Sequence, residues 1–398
     1  MTTIRAALPA HSPIRHVVVE NARVQAFVAP IVQHPVGYRG GPILTDPTLQ
    51  VFRHHRGGAI VDNFAPDAPP GRFLPGDLIY AGALYDHFGH FMAEMIHRIL
   101  PARALGLGHR FLFVGARGHE PHASFDRLPR HLRDILSFLG LGPDDVVIAL
   151  DDVVVERLHL VPQASQHHGD PADWYLDLLS AHSGPALDAA FEGVPRPQRL
   201  YVSRTRQALE GGLLGEAYLE RWLEGAGFQP FYPEEHGFAE QMDHYRKAEC
   251  VVFTQGSACH GTELLGREAM ARVVLIPKSI KAGFFERVLA PRARRFAQAG
   301  SPDQVGTMYY DAATRFQHIH LGVSLVDLAA VSRCLDGMGI SCPPFRPWAY
   351  RRAAARDLRR YMAGARAARG PDRPQALRLI ASFMRRMLGD GLRPQPRA

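Results

Sequence analysis

"CVVFTQGSACHGTELLGREAMARVVLIP", Cys250 to Pro277, holds two near-continuous apolar runs on either side of a glycine-bearing turn and a short helical stretch. Runs of four to six β-branched and apolar residues without alternation suit strands buried on both faces, as in a parallel sheet. The same unit recurs upstream. "RLYVSR" (199–204) leads to a helix near 214–226, then to "QPFYP" (229–233) and a helix near 237–248. Repeated strand–helix–strand units predict a doubly wound domain in the second half. Ligands of such sheets sit at the carboxyl ends of the strands, which directs attention to the residues just after 204 and 255.

The first half is also α/β in pattern. Strands are predicted near "IRHVVVE" (14–20), "DLIYAG" (77–82), "RFLFVG" (110–115) and "DVVIAL" (145–150), with helices near 88–105, 128–140 and 171–192. The segment "GVPRPQR" (193–199) concentrates proline and glycine and reads as a linker. A chain of 398 residues exceeds the size at which one core stays whole. We therefore expect domains over 1–194 and 195–342, followed by a basic helical tail over 343–398.

Hydrophobic residues at 46% and charged residues at 21% argue against disorder and fibrous repeats. Four scattered cysteines without a CxxC pair fit a reducing, cytoplasmic setting. No signal peptide or membrane span is expected. The net charge of +7 suggests nucleic acid until it is localised. Residues 343–398 hold fourteen arginines against Asp357, Asp372 and Asp390, a net of +11, so the rest of the chain is near −4. The basicity belongs to the tail, and no nucleic-acid partner is expected. Along 376–388, Leu377, Ile380, Phe383, Met384, Met387 and Leu388 fall on one helical side beside Arg378, Arg385 and Arg386. Such a helix packs on the body or lies on a membrane surface, here the inner face.

Three features carry chemistry. In "GSACHGTELLG" (256–266), Gly256 and Gly261 match the spacing of a phosphate loop, but its lysine is missing, which argues against P-loop hydrolysis. What remains is a turn whose small residues let backbone amides approach an anion; its bland alternative is a tight strand–helix connection. In "YVSRTR" (201–206), Arg204 and Arg206 stand at a strand end and could form bidentate bonds to a diphosphate, or simply be solvated. In "LYDHFGHFMAEMIHRILPARALG" (84–106), a helix would align His87, His90, Glu94 and His97 on one face. HExxH is absent, so a zinc protease is not indicated; a two-metal or three-ligand metal site, a general acid/base and a buried structural histidine remain the readings.

These segments together resemble glycosyltransferase family 61. "YDHFGHFMAEMIHRI" is similar to its H-[FW]-L-x-E-x-L-x-R block, with His90, Glu94 and Arg98 in register. Ser203 and Arg204 match its SR, Glu216 its acidic residue, Gln241 its EQ, and Gly256, Ser257, Ala258 and His260 the GSAxH form of its glycine turn. Gly261 and Thr262 stand where many members carry asparagine, and Gln255 replaces a commoner histidine or acid.

The resemblance implies an α/β, GT-B-like fold: two Rossmann-like doubly wound domains facing across a cleft, the C-terminal one binding the nucleotide-sugar. It implies inverting transfer of a sugar from a nucleoside-diphosphate donor, a UDP-sugar ahead of a GDP-sugar, to a glycan or related hydroxyl in surface-polysaccharide synthesis. His90, Glu94 or, in reserve, Asp86 would take the acceptor proton. Ser203, Arg204, Arg206, Gly256, Ser257, Ala258, His260 and Glu263 would hold the donor, with His87, His97 and Arg98 on the acceptor side or structural. No D-x-D triplet occurs, so no obligatory metal or other cofactor is expected. The competing readings are a metal-dependent hydrolase built on the 87–97 histidines and a non-catalytic nucleotide-sugar or glycan-binding module.

Overall fold

In the computed structural model of the chain, the described residues are 14–28, 38–117, 119–311, 316–318 and 321–388; expectations placed on residues 1–13, Asp390, Arg393 and Arg397 lie outside them. The chain divides into two compact units. One comprises residues up to Val194 with His236–Asp243 and His260–Ala269; the other comprises Pro195–Glu235, His244–Cys259 and the chain from Met270.

The first unit is built on a seven-stranded sheet. Its centre is parallel: Arg72–Ala83 pairs with Val153–Leu160 on one side and Phe111–Val114 on the other, and Phe111–Val114 pairs with Val146–Ala149. Phe111, Leu112, Phe113 and Val114, in the strand predicted near 110–115, are all fully buried. The other edge departs from a doubly wound sheet. Val17–Val28 runs antiparallel to both Val153–Leu160 and Tyr38–Pro42, so the sheet is mixed and the expected Rossmann-like form of the first domain is corrected. Val153–Leu160 was not predicted. The helices Arg130–Phe138 and Asp173–Phe191 fall where expected.

The helix expected over 88–105 is broken. Phe88–His90 is α-helical, Phe91–Met95 is a π-helical turn, and Ile99–Ala104 resumes as α. Gly82, at φ +148°, lets this segment lie against the central strand, because a Cβ there would stand 2.7 Å from the carbonyl oxygen of Met95.

The second unit contains a wholly parallel five-stranded sheet in the spatial order Gln229–Phe231, Arg199–Val202, Cys250–Thr254, Met270–Ile276, Ala293–Gln298. By chain position this is 2-1-3-4-5, the flavodoxin-like doubly wound order. The edge strand Ala293–Gln298 was not predicted. The helices Pro347–Arg369 and Arg373–Leu388 are integral to this unit and not an appendage: Tyr350, Leu358, Tyr361, Leu379, Phe383 and Met387 join its buried core. Asp357 Oδ2 accepts from the backbone N–H of Gly215 at 2.8 Å, and Tyr350 OH accepts from Val326 N–H at 2.7 Å. In Arg373–Leu388 the buried stripe is Ala376, Leu379, Phe383 and Met387, while Leu377, Ile380 and Met384 face outward. The single apolar side expected from sequence is thus two stripes. No helix among the described residues is long and apolar enough to cross a membrane.

Candidate active site

In the first unit, the segment after Arg72–Ala83 and the segment after Val153–Leu160 leave the carboxyl ends of neighbouring parallel strands. They carry His87–Arg98 and Gln163–His168. A third segment, 53–58, is laced to the second: Gly57 N–H donates to the His167 carbonyl at 2.9 Å and His55 N–H to Gln163 Oε1 at 2.7 Å.

Glu94 is at the centre and has 0% exposure. Its Oε1 lies 2.6 Å from His90 Nδ1, its Oε2 lies 2.9 Å from His54 Nε2, and Arg56 Nε donates to the same Oε2. Burial alone would raise the Glu94 pKa. The hydrogen bonds from His54 and His90, with the Arg56 charge, outweigh it and hold Glu94 well below the usual carboxylate range. Burial drives His54 the other way, keeping its imidazole neutral against the pull of Glu94. A carboxylate can only accept, so His90 donates its Nδ1 hydrogen to Glu94, leaving Nε2 as the ring nitrogen that Glu94 does not engage.

Around His90 stand further imidazoles. Ring centroids are 4.9 Å apart for His87 and His90, 5.7 Å for His90 and His167, and 5.6 Å for His167 and His260. Burial first, then the neighbouring histidines, pushes His87 down to about 4 and His167 further still. His260 Nδ1 lies 3.0 Å from Glu263 Oε1.

Other expected residues have different duties. His97 is buried away from His87 and His90, with Nδ1 3.0 Å from Tyr175 OH, so the one-face alignment over 87–97 is corrected: the π-turn and the break after Met95 rotate it off. Arg98 is buried and donates to the carbonyls of Val161, Phe52 and Arg53 at 3.1, 3.3 and 3.0 Å. It anchors the loop that delivers His54 and Arg56. Asp86 is exposed and 3.4 Å from His131 Nε2.

In the second unit, Arg204 and Gly256 follow the adjacent strands Arg199–Val202 and Cys250–Thr254, where the strand order reverses. This is the position at which doubly wound sheets bind ligands. The Arg204 side chain lies against Gly256: a Cβ on Gly256 would fall 2.3 Å from Nη1. Arg204 is only 9% exposed, and its Nε has no hydrogen-bond acceptor among the described residues. Its backbone N–H donates to Glu216 Oε1 at 2.7 Å, and the same oxygen accepts from Tyr201 OH at 2.8 Å. Ser203 Oγ donates to Glu220 Oε2 at 2.8 Å, fixing the turn. Arg206 is ion-paired with Glu235 and stacks over Tyr232 at 3.7 Å.

After Gly256 the chain forms a 3-10 turn, Ser257–Thr262, with Cys259 N–H donating to the Gly256 carbonyl at 3.0 Å. Burial pushes the Cys259 thiol up to about 12, so it is no nucleophile. Gln255 turns inward, accepting from Lys278 and Ser279 N–H at 2.7 and 2.8 Å and donating to Ser279 Oγ at 2.8 Å.

Sequence reasoning missed His54, Arg56, Gln163 and His167. The doublets "HHR" (54–56) and "QHHG" (166–169) were the available signal.

The fold is α/β, with a histidine oriented by a buried carboxylate in the first unit and a buried arginine at the switch point of the second unit's parallel sheet. The family model described as Glycosyltransferase 61 matches residues 88–297, which include His90, Glu94, Arg204 and Gly256. The chain belongs to glycosyltransferase family 61 and is a glycosyltransferase. Comparison with curated proteins returns no match.

Proposed function

We propose that the protein is an inverting glycosyltransferase that moves a sugar from a nucleoside-diphosphate donor, a UDP-sugar before a GDP-sugar, to a hydroxyl of a glycan or related acceptor in surface-polysaccharide synthesis. The proposal includes the GT-B-like arrangement that the resemblance implies, a cytoplasmic setting and no obligatory metal.

The observation that carries the donor assignment is the Arg204 guanidinium, buried against Gly256 at the switch point, whose Nε has no acceptor among the described residues. A buried cation of this kind suits a diphosphate, which can take two parallel N–H bonds from it. Small residues at 256–258 let backbone amides share the charge.

On the acceptor side, His90 is the base and Glu94 the residue that positions it. Glu94 has no exposed surface and cannot reach an acceptor, whereas His90 is partly exposed and has Nε2 to offer. The acceptor oxygen attacks the anomeric carbon, its proton passes to His90 Nε2, and the bond from that carbon to the diphosphate oxygen breaks. The growing negative charge on the diphosphate is stabilised by Arg204 and the amides.

The test is a thermal-shift series with UDP, GDP and their sugars on the parent and Arg204→Ala proteins, because a ligand bound only by the folded state raises Tm. A dose-dependent rise with one diphosphate, lost in Arg204→Ala, is expected. No rise with any diphosphate, or an equal rise in the variant, refutes the donor assignment.

A further inference from the structure

The helix Arg373–Leu388 buries one apolar stripe and displays another. Leu377, Ile380 and Met384 are 67%, 39% and 46% exposed and recur at i, i+3 and i+7, so they line one side of the helix. A single exposed leucine needs no explanation; three in register on one helix form a patch. Arg373, Arg378 and Arg385 are exposed on the same helix. Between Arg346 and Arg385, eleven arginines are exposed. The two acids of that stretch are already engaged, Asp357 by Gly215 N–H and Asp372 by Gln375 N–H.

We propose that the Leu377–Ile380–Met384 stripe and its flanking arginines dock the protein on an anionic lipid bilayer. The charge selects the occupant. A second copy would bring eleven arginines against eleven, and like charges repel. Single-stranded nucleic acid stacks its bases on flat aromatic rings, whereas the stripe Leu377, Ile380 and Met384 is aliphatic. A bilayer with anionic headgroups satisfies both halves: guanidinium groups meet lipid phosphates, and the aliphatic side chains enter the acyl boundary. This surface lies entirely on the second unit's C-terminal helices and does not depend on the donor and base assignments.

The experiment is co-sedimentation of the full chain with vesicles of phosphatidylcholine alone and with roughly one third phosphatidylglycerol, a content that gives the surface a negative potential. Binding at least ~10-fold tighter to the anionic vesicles is expected, weakened by salt. The triple variant Leu377→Ser/Ile380→Ser/Met384→Ser should lose about tenfold or more with its melting curve unchanged, since the stripe is outside the core. Arg378→Glu/Arg385→Glu should lose comparably. Equal binding to both vesicle types, absence of binding, or an undiminished triple variant overturns the proposal. So does self-association or oligonucleotide binding by the parent that the triple variant abolishes while vesicle binding persists.

Discussion

The Arg204 guanidinium occupies the space that a side chain on Gly256 would need: the missing Cβ would lie 2.3 Å from Nη1 and 3.1 Å from Cζ. The atom in the way is the far end of a long side chain, which can swing aside at little cost. Gly256→Ala should therefore fold nearly as stably as the parent, within about 1 kcal/mol. It should nonetheless bind a nucleoside diphosphate ten- to a hundredfold more weakly, the loss expected from one or two misplaced charge-assisted hydrogen bonds of about 1.5–3 kcal/mol. Isothermal titration with UDP, beside a denaturant melt, separates the two. Unchanged affinity would show that Arg204 and the diphosphate do not meet.

Variants of His90 and Glu94 should both slow the reaction and differ in what they do to the fold. His90→Ala removes the proton acceptor and should lower kcat by about 10²–10⁴-fold with KM little altered. Glu94→Gln keeps the shape but removes the charge to which His54, His90 and Arg56 are bonded. It should lower kcat by a similar order and also destabilise the fold, because Arg56 loses its buried counter-charge. If Glu94→Gln lowers stability but leaves kcat intact in the folded fraction, Glu94 does not position the base.

Acid should weaken the fold before it reaches Glu94. His54, His122 and His167 are held below the ordinary histidine value, chiefly by burial, with His122 at about 4. The unfolded chain binds these protons near pH 6.5 and the folded one only at lower pH. Stability from these groups is therefore complete above about 6.5 and lost as the pH falls toward 4. Glu94, held low, stays anionic over that window. Melting curves at pH 7.5, 6 and 5 and constant ionic strength should show Tm falling by ~5 °C or more. A flat or rising Tm contradicts neutral burial of these rings.

How much of this was legible depended on the range of the signal. Within the strands Arg199–Val202, Cys250–Thr254 and Met270–Ile276, Leu200–Val202, Cys250–Phe253 and Val273–Ile276 are buried on both faces, so these stretches are continuously apolar and visible locally. Ala293–Gln298, "ARRFAQ", is an edge strand with two exposed arginines and offers no such run. Val153–Leu160 ends in "ERLHL", whose polar positions stay half-exposed and break the run. At the site, Glu94 and His90 are four residues apart and could be paired by periodicity. His54 and Arg56 lie 40 and 38 residues before Glu94, and only the folded sheet brings them there. The same limit explains the helix Arg373–Leu388. Its sequence carries apolar residues over more than one face, and the packing of the second unit decides that Phe383 goes in and Leu377 stays out.

Arg98 tests whether that long-range assembly matters to the reaction. Its guanidinium is 1% exposed, donates to three carbonyls on two separate segments and lies over the Tyr80 ring. Arg98→Ala leaves those carbonyls without their donor and opens a void, so a loss of about 3 kcal/mol or more is expected in a denaturant melt. Arg98→Lys keeps the charge but not the planar fork, and one ammonium cannot span carbonyls spread over Phe52, Arg53 and Val161. It should recover only part of the stability. Because Phe52 and Arg53 lead directly into His54 and Arg56, kcat of the folded enzyme should fall as well. A comparably destabilising core change elsewhere in the first unit, Leu136→Ala, should leave kcat of the folded fraction near the parent value. Equal kcat for the folded Arg98 and Leu136 variants would mean that Arg98 supports the fold without positioning the groups around Glu94.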